Sequence, residues 1–596
     1  MNAEASVAGL RRPAEQSNPA ELTIVNPVAL QKLETREGER FPSAPRLTTF
    51  AGKTVGLYWN GKQQGEHALA RTREQLARLY PDVKFREYIG SMGGVLRRAS
   101  DEQLDQMARE CDAVIGTTAD CGSCTSWLIH DMCHVERRGK PALAWTAEQF
   151  VEDAHWSANV WGVPDLAIAC VPECFTNNSP DRIRHMVDAS WDNVIRAFTQ
   201  PPLAATLDFK RITRDNVTER ELVYRGADPM ESWEAMNRAF LKAGWSDGFP
   251  LIAPTPAKVA AMVEGAKLPG DHIVGYLEPG FGIATVEKIA ANAAMAGCTP
   301  AMMPLLIAVV DCLLDSRSGF RGVCMSTGPQ APVIMVSGAV VEELGLNYGI
   351  APIGPGSQNA ANISIGRAVR LIMMNVGLSY PGVSDMDTHG TTMKFSYCVA
   401  ENEARNPWEP HRVVRGFSRE SSTVTVNSPF SQTVLHDFYN HDPKKLVEVF
   451  CSTMVGMGSP MSAYWLISTK GPDTAPAVWR GDPDNLLFLC PDHAAVFKRA
   501  GWTLNDLKQA LYDGCRVSFR EAMLNKQPEL FKHSLPHMQW LWDQPETQIS
   551  IFGSPDNFDI FVTGGDAGWS TWHDGGTYSI TREIGSVGRQ TRPAIT

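Results

Sequence analysis

Positive charge is in short supply in this chain: 55 Lys and Arg face 66 Asp and Glu, a formal net charge of -11. With no cationic surplus to compete for phosphates and no long block of like charge, nucleic acid is not an expected partner. Long apolar runs are scarce too. The longest, near residues 290–314, is broken by Pro300, Pro304 and Asp311, which suits a buried helix pair better than a membrane span. The first residues lack the charged and apolar regions of a signal peptide, and Glu4, Glu15 and Glu21 argue against a transit peptide, so a soluble cytoplasmic protein is expected. Cofactor and hydrolase signatures are missing as well. There is no G-x-x-x-x-G-K-[ST], no H-E-x-x-H, no G-x-S-x-G elbow and no C-x-x-C-H, and the run Gly354-Pro355-Gly356 completes no dinucleotide fingerprint after a strand. Nucleotide hydrolysis, zincin proteolysis and serine-hydrolase chemistry lose their support. No cofactor is required, although a flavodoxin-like sheet can hold flavin.

What is present is an ordinary globular composition, 43% hydrophobic and 20% charged over 596 residues, enough for two to four domains. Residues 1–50 show no sustained period and read as an extended arm. From residue 54, β-rich runs (54–59, 83–89, 113–118, 141–146, 166–171) alternate with helical ones (66–79, 101–110, 121–138, 149–161, 181–198). That alternation predicts an α/β unit over 51–200, a flavodoxin-like or doubly wound parallel sheet of about five strands. A linker with one possible hairpin is expected over 201–230. Residues 231–596 follow as a larger α+β region of one domain or two lobes, expected to bind substrate.

The 13 cysteines, in a reducing cytosol, point to free, catalytic or metal-bound thiols and not to a disulfide scaffold. Asp120-Cys121-Gly122-Ser123-Cys124-Thr125 lies directly after a predicted strand and before a helix. In an open parallel sheet, ligands bind beyond the carboxyl ends of strands, where helix N-termini point. A thiolate there is stabilised by unpaired N–H groups and the helix dipole, and the thiolate is the reactive form. Two intervening residues let Cys124 reach Cys121, so an adduct on Cys121 can be resolved as a disulfide. Asp120 and Ser123 join the pair as candidate catalytic residues and Thr125 as a substrate contact. The alternatives are space-filling thiols, or a zinc site built from Cys121, Cys124, Cys170 and Cys174. Cys133 reads as packing, and His130, Asp131 and His134 read as surface residues before proton-transfer groups.

Cys121-Gly122-Ser123-Cys124, within ADCGSCTSWLIHDMCHVERRGKPALAWT, resembles the UGSC family, whose signature is Sec-Gly-Ser-Cys or Cys-Gly-Ser-Cys on a thioredoxin-like or racemase-like α/β domain. The resemblance covers about residues 54–198. A more distant likeness is to the selenoprotein subunit of glycine reductase component B, which implies attack by the first chalcogen on a substrate carbon and reductive cleavage or exchange at a carbon–heteroatom bond. The later pieces WSDGFP, IGPGSQNAANISIGRAVRLIMMNVG and YCVAENEARNPWEPHR resemble a companion region to which no reaction attaches.

That region offers further candidates. Glu401, Glu403 and His411 are acid and base groups close in sequence, beside Trp408 and Cys398. Arg367 and Arg370 are a possible carboxylate clamp with Asn359 and Asn362 as orienting donors, or else partners of neighbouring acids. The expectation is a thiol enzyme acting on a small metabolite, served by an external thiol reductant and working as a homo-oligomer. A cysteine hydrolase or lyase, and a zinc-binding or redox-sensing protein, are the alternatives.

Overall fold

The computed structural model describes residues 19–34, 40–92, 98–201, 217–457, 484–521 and 539–585. Strands β2 (Thr54–Trp59), β3 (Lys84–Ile89), β4 (Ala113–Ala119), β5 (Ala142–Ala147) and β6 (Ala167–Val171) form a sheet in the order β3-β2-β4-β5-β6, with every pairing parallel. Renumbered within this unit the order is 2-1-3-4-5, the flavodoxin-like arrangement of a doubly wound sheet. β4 and β5 are buried along their whole lengths because helices cover both faces. Val55, Leu57, Ile115, Leu143 and Trp145 pack on one face against α1 (Gly65–Leu79), α5 (Pro180–Ala189) and α6 (Trp191–Thr199). Tyr58, Val114 and Ala144 pack on the other against α2 (Asp101–Glu110), α3 (Gly122–Arg137) and α4 (Val151–Val160). The single helix expected over 181–198 is two. The chain breaks at Ser190, whose hydroxyl donates to Cys170 O at 2.7 Å and ties the break to the end of β6.

The expected arm and linker meet each other. β1 (Ala20–Val25) pairs antiparallel with β7 (Glu221–Gly226), so the linker's described strand finds its partner in the arm, and the rest of the expected hairpin, residues 202–216, lies outside the described residues. Behind β1, Val28 and Ala29 enter the largest hydrophobic core together with Trp156 and Val160 of α4.

That core belongs to the C-terminal region. Helices α7 (Pro229–Ala243), α8 (Pro256–Ala266), α9 (Val286–Ala296) and α10 (Met303–Leu314) and the strand pair β8 (Ile273–Leu277) and β9 (Gly282–Thr285) lead into α11 (Phe320–Met325), β10 (Val333–Ser337), α12 (Val340–Glu343) and α13 (Ala360–Asn375). α9 and α10 are the buried pair, with Pro300 in the connection between them and Pro304 in the first turn of α10. Further on come β11 (Cys398–Ala400), β12 (Thr423–Asn427), β13 (Thr433–His436), β14 (Asn485–Leu489), β15 (Arg516–Ser518), β16 (Gln548–Ser550), β17 (Phe558–Val562), β18 (Trp569–His573) and β19 (Ile580–Glu583). Two four-stranded mixed sheets result, β11-β10-β12-β19 and β13-β18-β14-β17, and the region is a mixed α/β one. Among the described residues, no helix is long and apolar enough to cross a membrane.

Candidate thiol site

In the order 2-1-3-4-5 the chain reverses direction across the sheet between β2 and β4. Loops leaving those two strands diverge to opposite faces and open a crevice at their carboxyl ends. The thiol motif is the loop leaving β4. Cys121 is the N-cap of α3: its backbone is extended, and its Sγ accepts from Cys124 N at 3.3 Å. Cys121 and Cys124 form a disulfide with their Cα atoms 5.3 Å apart. Ser123 Oγ lies 3.8 Å from Cys121 Sγ.

Asp120 anchors the loop. Its Oδ2 accepts from Thr176 N and Thr176 Oγ1, both at 2.8 Å, and its Oδ1 faces the Lys62 ammonium at 3.1 Å. Lys62 comes from the loop leaving β2. Asn60 in that loop bridges the crevice: its amide donates to Thr118 O at 2.9 Å, and its oxygen accepts from Thr118 N and Lys62 N. Thr125 is fully buried in the first turn of α3.

The C-terminal region forms the roof. A β-carbon on Gly122 would overlap the carbonyl oxygen of Met325 and lie 3.2 Å from Met386 Cβ. Glycine is therefore what lets α11 approach the motif. One turn into α3, Ser126 Oγ accepts from Arg321 Nε at 2.7 Å, and Arg321 Nη1 donates to Pro279 O at 2.9 Å. The Arg321 guanidinium is fully buried between the rings of Trp161, at 4.7 Å, Phe281 and Trp127. Flanking Met386, Asp385 binds Arg370 at 2.9 Å and Lys394 at 2.8 Å, and Lys394 also reaches Asp387 at 2.5 Å. Burial and the adjoining Asp385 charge push the Asp387 carboxyl up to about 6. The site thus joins two parts of the chain, and the thiol pair is almost wholly covered, with Cys121 6% and Cys124 4% exposed.

Residues 23–200 match the family model for UGSC. The chain carries a UGSC-family unit. Its match begins at β1 and ends at the close of α6, so the segment before the sheet belongs to it as well. No curated protein and no solved structure matches the chain.

Within the UGSC unit the other thiols stand apart from the pair. Cys174 accepts from Gln149 Nε2 at 2.6 Å, and burial together with the Asp120 charge pushes its thiol up. Cys170 lies inside β6, where burial raises its thiol too. Among the described residues, no group of three His, Cys, Asp or Glu side chains is placed to hold a metal ion. Cys121 and Cys124 are bonded to each other. Cys133 is packing, with its thiol raised far above the ordinary value by burial. Asp131 is not a surface group. It is fully buried, receiving Tyr58 OH at 2.5 Å, Ala99 N at 2.9 Å and the His130 ring at 2.9 Å. Burial and the nearby His130 and Arg137 charges lower His134 to about 4.

The acid and base candidates of the C-terminal region do not join the thiols. Buried Glu401 accepts from Ser337 Oγ at 2.5 Å and from Asn406 Nδ2 and His411 N, both at 2.8 Å, which makes it the staple of its loop. Glu403 is ion-paired with Arg412. His411 Nε2 meets Asp559 at 2.6 Å, and Trp408 Nε1 donates to Trp502 O at 3.0 Å. Arg367 is no substrate clamp: it forms a two-pronged pair with Asp247 at 2.6 and 3.0 Å. Asn359 donates to Ala351 O and Gly354 O, and Asn362 to Asn347 O and Cys398 O, so both fasten the loop before α13. Of this group Arg370 alone sits in the charged quartet beside Met386. Lys62, Arg321, Met325, Met386 and Lys394 were missed. Lys62 stands in the loop leaving β2, and only the strand order places that loop across the switch point from the thiol motif. The others are brought in from far along the chain.

Proposed function

We propose that the protein is a thiol-dependent enzyme of the cytoplasm acting on a small electrophilic metabolite, with Cys121 as nucleophile and Cys124 as resolving thiol. One observation carries this reading: a cysteine that caps a 16-residue helix at the switch point of a parallel sheet, bonded to the cysteine one turn on. The helix N-terminus favours the thiolate in the reduced state. Reductive cleavage balances as follows. The dithiol and R–X give R–H, HX and the disulfide; the two thiols supply two electrons and two protons, and an external thiol restores the dithiol. Asp120 and Lys62 hold the loop, Ser123 lies beside Cys121 Sγ, and the roof of Met325 and Met386 excludes water. The likeness of the motif to one in which selenium takes the first position supports nucleophilic or redox use of position 121.

The test is turnover and covalent labelling with a panel of carbon electrophiles, followed by intact mass. Cys121→Ser is expected to abolish both, and Cys124→Ser to accumulate an adduct on Cys121. Equal labelling of the parent and Cys121→Ser at the motif peptide contradicts the assignment. The near-complete burial of the pair favours one second reading, a redox sensor in which disulfide formation resets the contact with α11 and no substrate is turned over.

A further inference from the structure

The loop that the sequence marks with Glu401, Glu403 and His411 has no part at the thiols, yet it walls a cavity of about 640 Å³ elsewhere in the C-terminal region. β10 and β11 are parallel, as are β14 and β17, and the ends of β11, β14 and β17 meet. Asn402 N donates to Val562 O at 2.8 Å, Thr563 N to Leu489 O at 3.0 Å and Thr563 Oγ1 to Ala400 O at 2.8 Å. The loops leaving these three strands supply Asn402 and Arg405, Pro491, and the run from Thr563 to Ala567 to the cavity. The carboxyl ends of parallel strands are where open sheets place ligands, and the volume lies in the range of small-molecule sites.

The walls define the chemistry. Trp569 and Ile350 both line the cavity, and both are large apolar side chains left in water, 55% and 83% exposed. His436 stacks on the Trp569 ring at 4.6 Å and fixes its plane. Phe488 lines the cavity further in. Among the described lining residues only Arg405 and Asp566 are charged, and they pair with each other at 2.8 Å. The cavity is therefore lined by an indole and an aliphatic loop and, among the described residues, carries no unpaired charge, with Thr571 and Asn402, whose amide also donates to Gly564 O at 3.3 Å, as polar groups.

We propose that this cavity binds a neutral, flat, ring-bearing small molecule whose polar substituent meets Asn402 and Thr571. Aromatic rings gain from offset stacking on indole, and because Arg405 and Asp566 neutralise each other the described lining holds no unpaired charge to attract a charged ligand. The site shares no residue with the UGSC unit, so it stands or falls apart from the thiol chemistry.

Saturation-transfer NMR on the full chain with benzamide, benzoate and benzylammonium, three probes of one ring and different charge, decides the matter. Benzamide at millimolar concentration is expected to receive saturation several-fold more strongly than the charged pair, and to lose it in Ile350→Glu and in Trp569→Ala. Ile350 is so exposed that its replacement leaves the fold intact, which unchanged amide spectra will verify. Silence from benzamide, an equal response from all three probes, or a benzamide signal that survives both substitutions overturns the proposal.

Discussion

The carbonyl oxygen of Met325 occupies the space that a β-carbon on Gly122 would need. These residues are about two hundred positions apart in sequence, so the thiol motif is fitted to the C-terminal region as closely as to its own sheet. Gly122→Ala is expected to push α11 off the motif and to destabilise the protein by about 1–3 kcal/mol, the usual range for overpacking. Reduced Cys121 should also alkylate faster. Thermal unfolding and alkylation rates check both parts.

Arg321 makes the same junction through hydrogen bonds and ring contacts. Arg321→Met keeps much of the volume but removes donors to Ser126 and Pro279, and a loss of about 3 kcal/mol is expected for hydrogen bonds from a buried charge. Denaturant unfolding measures it. An unaltered midpoint would mean that the strut is not needed for docking.

Glu401 is assigned a structural role, and this separates it from the thiol chemistry. Glu401→Gln places an amide N–H₂ among the donors Ser337 Oγ, Asn406 Nδ2 and His411 N, and is expected to cost about 1–3 kcal/mol of stability. Cys121 alkylation and any turnover should be unchanged in the folded variant. A selective loss of turnover would return Glu401 to the active site.

Asp484 gives a signed pH dependence. Burial raises its carboxyl to about 6, with Arg415 opposing and Asp559 adding to the rise. The folded state thus holds this proton more tightly than the unfolded chain, where the ordinary value is 3.8. The contribution is fully present below pH 4 and is lost as pH rises through 6, a change of about 3 kcal/mol for two units. Asp484→Asn keeps an oxygen for Ser579 N and cannot ionise. Its stability relative to the parent should therefore climb between pH 4 and 7, and a flat difference curve contradicts the assignment.

The parallel unit was legible in the sequence because its strands are short β-branched or aromatic runs and its helices keep a helical period. The motif between β4 and α3 could be placed from that alternation. Strand order was not legible, so neither the switch point nor Lys62 across it followed from the sequence. Arg321, Met325 and Met386 reach Ser126 and Gly122 only through tertiary packing, and no local pattern announces such a contact. Glu401 and His411 misled for the opposite reason. Nearness along the chain says which groups share a loop and not which way they point, and these two point inward to Ser337 and Asp559.

The central claim is that Cys121 is an activated thiol. Its most direct test is the alkylation rate of every cysteine against pH in the reduced full-length protein, resolved by peptide mass spectrometry. Cys121 should titrate below about pH 8, as a helix N-terminus dictates. Cys133, Cys312 and Cys324, whose thiols burial pushes up, should stay unreactive throughout. A Cys121 that reacts no faster than these buried thiols, or only above the ordinary thiol range, contradicts the account.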